Sequence, residues 1–530
     1  MRRGARRAGI RRDRLALLAA LGVAASTCVV PGGGPLGAAT TGSDWTVYHG
    51  AADGSGVADE PNAITVGTPA WTSPTLDGDI YGEPLVSAGS IYVATENDTV
   101  YALDASDGAV RWSAHLGPPV PSSQLPCGDI SPTVGVTGTP VIDPSRAEIF
   151  VVADLVIMGR PSHVLVGLRT ATGAQELDVA VDPPGADPAA LLQRTGLNLD
   201  DGKVVFGMGG NFGDCASYRG RVVAVNESGG SPSYFTVDAG AGQSQGAVWM
   251  GGAAPEVDAQ GNIWVGVGNG SVHAGSEPYD DSDSVLELSP SLALEQYFAP
   301  SDWAQQNADD LDMSVAPALL GNGQVVLSGK ARVAYLLDGS HLGGIGNEEA
   351  SVPTGCAQDV DGSAATEGTT VFLPCQSGPV AMSVQSAPAG LRVLWRADVG
   401  GGPPIVAGGL VWTIGQDGRL YGLNPQTGAV EQSAEVGPPA NHFPTPSVGD
   451  GLLLAPASDH VVAFGTPPAS AATSTTSVDT TTSAPRSSSP SPSRPGGGSD
   501  ALALGVGGGA VVVLAATAEV LRRRRRRRTP

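Results

Sequence analysis

Ile91-Tyr-Val-Ala-Thr-Glu-Asn-Asp-Thr-Val-Tyr-Ala-Leu-Asp-Ala-Ser-Asp-Gly-Ala-Val-Arg-Trp112 holds the unit from which this chain is built. It gives two short alternating strands, an Asp-Gly turn and a closing Trp112, the third strand leaving through Asp104-x-x-x-Gly108. Val411-Trp-Thr-Ile-Gly-Gln-Asp-Gly-Arg-Leu-Tyr-Gly-Leu-Asn-Pro-Gln-Thr-Gly-Ala-Val430 repeats the plan far downstream. Period-two alternation bounded by turn residues reads as a β-meander, and its recurrence marks a repeat architecture. Asp104 is placed to cap the turn backbone and Gly108 to take a positive φ. Val100 and Ala102 fall on one sheet face, Tyr101 and Leu103 on the other, and stacked blades would cover both.

Pro or small residues open the innermost strand of each copy, which allows the copies to be counted. The openings are Glu83-Pro84-Leu85-Val86, Thr139-Pro140-Val141-Ile142, Leu197-Asn198-Leu199-Asp200 and Ala254-Pro255-Glu256-Val257. Ala316-Pro317-Ala318-Leu319, Ala364-Ala365-Thr366-Glu367, Pro403-Pro404-Ile405-Val406 and Thr445-Pro446-Ser447-Val448 follow. Their spacing of roughly 40 to 60 residues is that of a four-stranded propeller blade. The expected fold is all-β, an eight-bladed β-propeller over residues 43–465; the third and sixth openings are degenerate, so seven blades is the alternative count. The last copy ends one strand short after Val461-Val462-Ala463-Phe464. An N-terminal strand is expected to close it, and Trp45-Thr-Val-Tyr48 is the segment that fits. Closure of that kind removes free sheet edges. Helical signal is sparse; Pro188-Ala-Ala-Leu-Leu-Gln-Arg194 reads as a short connecting helix.

The ends have a different character. Residues 1–39 carry a basic head and an apolar run from Leu15 to Ala25, the pattern of a secretory signal. Val23-Ala24-Ala25 and Gly37-Ala38-Ala39 both suit cleavage. The Arg pairs point weakly to twin-arginine export, and Ser26-Thr27 before Cys28 fits a lipidation box poorly. Residues 466–500 form a Ser/Thr/Pro-rich stalk without periodicity. Residues 501–521 form an apolar stretch long enough to span a bilayer as a transmembrane helix. Residues 522–530 begin with Arg522–Arg528, a cationic stop that places the C-terminus in the cytoplasm and the propeller outside the cell membrane.

Formal net charge is −23, from 29 Lys/Arg and 52 Asp/Glu. Setting aside the seven basic residues of the signal and the seven of Arg522–Arg528 leaves 15, of which only Lys203 and Lys330 are lysines. Such an outer surface repels nucleic acid and favours solubility. Four cysteines lie beyond the signal, an even number that suits an oxidising compartment. Cys356 and Cys375 flank one strand turn and are expected to pair, leaving Cys127 and Cys215 for a second bridge.

The Tyr-Ala-Leu-Asp-x-x-x-Gly-x-x-x-Trp unit resembles that of the pyrroloquinoline-quinone (PQQ) repeat superfamily, the quinoprotein-alcohol-dehydrogenase-like propellers, over about residues 43–465. Val134-Gly-Val-Thr-Gly-Thr-Pro-Val-Ile-Asp143, Gly261-Asn-Ile-Trp-Val-Gly-Val-Gly-Asn-Gly270 and Leu311-Asp-Met-Ser-Val-Ala-Pro-Ala-Leu-Leu320 extend the likeness. The resemblance implies the propeller fold, and it spans dehydrogenases, assembly scaffolds and propellers without an assigned cofactor. Asn269 resembles an Asn that ligates calcium in the enzymes, Asp310 or Asp312 their general base, and Lys330 a cation on the quinone carbonyls. That set would remove an alcohol proton and polarise a quinone. Ordinary roles also account for each: Gly-Asn269-Gly is a turn, the Asp run caps amides, and Lys330 pairs with acids.

Departures from the enzyme pattern are several. No two cysteines are adjacent, no glutamate ligand can be placed, Trp303 lacks the usual spacing to the acids, and no Cys-x-x-Cys-His haem site exists. Asp280-Asp281-Ser-Asp283 and Asp359-Val-Asp361-Gly362 evoke calcium loops without a complete ligand series, and solvated turns are expected there. The reading preferred from sequence is a binding or scaffold propeller with no cofactor, whose loops take an extracellular protein or small-molecule ligand. The alternative is a PQQ- and calcium-dependent dehydrogenase oxidising an alcohol or polyol.

Overall fold

The computed structural model describes residues 44–58, 63–313 and 315–468. The signal, the 501–521 span, the Arg-rich tail and all but the first residues of the stalk lie outside them. Among the described residues no helix is long and apolar enough to cross a membrane.

Eight antiparallel blades follow the eight openings. Blade one comprises Leu85–Ser87, Ser90–Ala94, Thr99–Asp104 and Val110–His115, paired in that order. The degenerate copies also build blades. Blade three pairs Asn198–Asp200, Lys203–Gly210, Arg221–Asn226 and Ser233–Thr236, and blade six runs from Ala365–Glu367 to Ala389–Arg396. In blade one the three inner strands are buried on both faces, whereas the outer strand Val110–His115 alternates with solvent. Apolar layers between neighbouring sheets form the core, and Phe150, Phe206, Phe298, Phe372 and Phe464 are among its fully buried side chains.

The closing strand is not the expected one. Trp71–Thr72 pairs with Ala463 and Val462 and completes blade eight. This explains the Trp of the repeat. The Trp71 indole donates to the Ala105 carbonyl of blade one (3.0 Å), Trp112 of blade one to Thr170 of blade two (2.8 Å), and Trp395 of blade six to Pro425 of blade seven (2.8 Å). Each indole lies on the turn glycine of the next blade. A Cβ on Gly108, Gly173 or Gly428 would sit 2.5 to 2.6 Å from a ring carbon, and all three have positive φ. Asp104 caps its turn as the sequence suggests, accepting from the Ser106 amide (2.8 Å), and Asn424 does so from Gln426 (3.0 Å).

Trp45–Tyr48 has a different task. Residues 44–58 run along the axial edges of the inner strands. Trp45 exchanges two backbone hydrogen bonds with Val86 of blade one, both 2.8 Å. Ile142 of blade two, Val257 of blade four, Thr366 of blade six and Val406 of blade seven each donate an N–H to this segment at 2.8 Å. These are equivalent positions in their inner strands, whose amides would otherwise lack partners.

The connecting helix is also displaced. Pro188–Ala190 is one 3₁₀ turn, after which Leu191–Leu192 is extended against Gly209 and Gly210. The one α-helix among the described residues is Trp303–Asp309, between blades four and five. Both expected disulfides form: Cys127–Cys215 ties the blade one–two connection to a loop of blade three, and Cys356–Cys375 braces the start of blade six.

Candidate functional site

Each blade offers two kinds of loop on the same face of the ring: the turn between its second and third strands, and the connection that leads into the next inner strand. Asn269 and Lys330 lie on such turns in blades four and five; Asp310 and Asp312 lie on the connection between those blades. The structure brings all four together.

The helix Trp303–Asp309 sets this geometry. Trp303 is buried in a small apolar cluster and meets Tyr279 edge to face, 4.9 Å between ring centroids. Asn307 receives the Gly270 amide (2.8 Å) and donates to the Val272 carbonyl and Ser282 Oγ (both 2.8 Å), clamping the Asn269 turn to the helix. The helix stops at Asp310, which is left-handed at φ +60°. Asp312 then turns inward. Its Oδ1 accepts the Asn269 amide at 2.8 Å and its Oδ2 accepts from Lys330 Nζ. Asp310, largely exposed, accepts from Asn269 Nδ2 at 2.9 Å and stands 3.9 Å from Lys330 Nζ.

Burial opposes the charge on Lys330, but Asp312, then Asp310 and Asp361, outweigh it and hold the ammonium above its ordinary range. The same ammonium lies over the Trp249 ring, 5.9 Å from its centroid. Asp361 is pushed up to about 7 by burial, with Lys330 pulling the other way. Asp283 is fully buried with both oxygens unpartnered; burial and then the Asp312 charge raise it well above the carboxylate range. The two acidic runs are therefore not solvated turns. Asp280 and Asp283 are enclosed, Asp280 capping the Val272 and Ser282 amides, and Asp361 is enclosed beside Gln376 (2.9 Å). They face the site rather than the solvent because their loops lie on its face of the ring.

The donor set does not suit a calcium ion. Among the described residues no three His, Cys, Asp or Glu side chains group closely enough to hold a metal. The Asp312 oxygens serve Asn269 and Lys330, and Asn269 Oδ1 is the one oxygen of these four residues that is buried without a partner. Lys330 supplies the positive charge that a divalent ion would bring.

Sequence reasoning missed the aromatic and cationic residues of the same face. Trp249 meets Phe443 at 6.0 Å between centroids, and Arg194 lies over Phe443 and Tyr81. All four lie on connections that lead into an inner strand, outside the openings that counted the blades.

Residues 34–273 match the sequence family described as outer membrane protein assembly factor BamB. The BamB of Yersinia pestis is 26% identical over 176 residues, 31% of this chain and 42% of that protein, so the match spans less than half of the relative. Among solved structures, the quinohemoprotein alcohol dehydrogenase of Pseudomonas putida HK5 aligns with a TM-score of 0.59 at 15% identity, covering 85% of this chain and 83% of that one. The enzyme from Comamonas testosteroni gives 0.58 at 15% over 80% of each chain. A europium-containing methanol dehydrogenase gives 0.56 at 16%, over 78% of this chain and 89% of the other. The repeat, the fold and the family match over residues 34–273 are similar to those of PQQ-like β-propellers.

Proposed function

We propose that this chain is an exported propeller, tethered by the 501–521 span, whose channel-face loops bind an extracellular protein or small molecule. One observation carries the choice of binding over oxidation. Asp312 already gives its two oxygens to the Asn269 amide and Lys330 Nζ, Asp310 accepts from Asn269 Nδ2, and among the described residues no three His, Cys, Asp or Glu side chains group closely enough to hold a metal. The likeness to an assembly factor over residues 34–273 is consistent with a scaffold role, for which a propeller face is well shaped.

A second reading, a PQQ- and calcium-dependent alcohol dehydrogenase, is favoured by the convergence of those same four residues. The two separate in one experiment. Purified protein is incubated with PQQ and calcium, and cofactor uptake and dye-linked alcohol oxidation are measured. The binding reading expects neither. Stoichiometric uptake with turnover lost in Asp310→Asn or Asp312→Asn would overturn it. For the anchor, an antibody on intact cells should reach an epitope placed in the 466–500 stalk and not one placed after Pro530.

A further inference from the structure

The outer rim of blade four carries a groove that shares no residue with the channel-face site. Gly344–Ile345, from the loop between the third and fourth strands of blade five, pairs in parallel with Phe298 and Ala299 of blade four's outer strand. Between that loop and the blade lies an open groove of about 770 Å³, within the range of about 300–1,000 Å³ usual for small-ligand sites. Asn262, Glu287, Glu295 and Tyr297 line it from blade four and His341 from blade five. Asn262 and Glu287 sit toward the ends of their strands remote from the Asn269 turn.

Gln296 frames this groove. Its Nε2 donates to the Gly339 carbonyl (2.9 Å) and to Glu287 Oε2, and its Oε1 accepts the Leu342 amide (2.8 Å), tying the loop to blade four. Glu287, 7% exposed, also accepts from Asn262 Nδ2 on Oε1 at 2.7 Å. Tyr297 is stacked on Tyr279, 5.0 Å between ring centroids. Gly344 leaves the phenol end of that ring clear, since a side chain there would begin 3.5 Å from Tyr297 Oη. What the frame leaves unused is a mixture of donors and acceptors. Tyr297 Oη and the His341 imidazole serve as either, while Asn262 Oδ1 and the exposed Glu295 carboxylate accept. None of these four has a hydrogen-bond partner among the described residues.

We infer that this groove binds a neutral saccharide. A sugar hydroxyl donates and accepts at once, so one ligand can engage all four free groups. An ammonium would serve only the acceptors, and Glu287 with Glu295 would repel an anion. Tyr297 adds a ring against which the apolar face of a pyranose can lie. The inference goes beyond the channel-face reading and does not depend on it.

Isothermal titration calorimetry on the full-length protein tests it with three neutral trimers: cellotriose, maltotriose and triacetylchitotriose. The glucosamine trimer is the cationic probe and the galacturonate trimer the anionic one. At least one neutral trimer should bind saturably, and neither charged trimer should. Glu295→Ala should weaken that binding at least about tenfold, the worth of a hydrogen bond to a charged group. Tyr297→Phe, which keeps the ring and removes only the hydroxyl, should weaken it about fivefold. Each variant deletes a group that makes no hydrogen bond within the fold, so a loss of affinity reports on the groove. Absence of binding by all three neutral trimers overturns the inference, as does binding left unchanged in both variants. Equal or tighter binding of either charged trimer overturns the neutral class.

Discussion

Gly173→Ala isolates the contact that joins one blade to the next. Two costs follow from the structure. Gly173 has φ +69°, and an L-residue held there costs about 1–2 kcal/mol. Its new Cβ would also stand 2.5 Å from Trp112 Cε3 and 2.9 Å from Cζ3, so the indole must leave its seat. That breaks the 2.8 Å bond to the Thr170 carbonyl, a loss of about 1 kcal/mol, and returns part of a ring to water for roughly 1–2 kcal/mol more. The sum is about 4 kcal/mol. Gly159, in the same blade at φ +80°, has nothing within 4 Å of its Cβ, so Gly159→Ala should cost only the backbone term of about 1 kcal/mol. Urea unfolding followed by far-UV circular dichroism compares the two. In a Trp112→Ala background the cost of Gly173→Ala should fall to that of Gly159→Ala. Equal costs for the two glycines in the parent, or an unchanged cost after Trp112 is removed, would refute the seat.

Three further outcomes are expected. Burial raises Asp361 to about 7, Glu96 to about 8, Asp238 to about 9 and Asp98 to about 10. Their protonated forms stabilise the fold at low pH, and that contribution is lost as pH rises through these values, so the thermal midpoint should be higher at pH 5 than at pH 9. Asp98→Asn, which replaces an unpartnered buried carboxyl by a neutral amide, should flatten that slope and leave a higher midpoint than the parent at pH 9; a steeper fall would count against the assignment. Reduction should destabilise the propeller, and more through Cys127–Cys215 than through Cys356–Cys375. Closing loops of 88 and 19 residues corresponds to about 4.5 and 3 kcal/mol, measurable by comparing paired Cys→Ser variants in urea.

The repeat was legible because its residues are local: an Asp or Asn cap, a glycine at positive φ and alternating strands all sit within some twenty positions. The eight openings and Cys356–Cys375 were legible for the same reason, and Cys127–Cys215 followed as the remaining pair. Strand closure was not. Trp71–Thr72 is only two residues long and shows no alternation, whereas Trp45-Thr-Val-Tyr48 alternates well and serves the axis instead. What distinguishes them is the partner, since Gly108 receives Trp71. At the site, Asn269, Asp310, Asp312 and Lys330 stood out through likeness to known propellers. Arg194, Trp249 and Phe443 lie in connections without a shared motif. Asp283 and Asp361 looked like surface turns because Asp-rich runs usually are, yet the fold encloses both.

Residues 44–58 and Trp71–Thr72 also impose an order of assembly. The N-terminal stretch requires the inner strands of blades one, two, four, six and seven, and the Trp71–Thr72 backbone requires the last strand of blade eight. A chain made N-terminus first can stack early blades against one another and seat the Trp71 indole on blade one, but the Trp71–Thr72 backbone has no strand partner until His460–Gly465 has been made. Closure is thus a late, long-range event, and such events are slow because loop entropy is lost before contacts compensate. A chain ending before residue 460 would keep its central blades yet present two open sheet edges, one at each side of the gap, and would be recognised by its self-association rather than by loss of secondary structure.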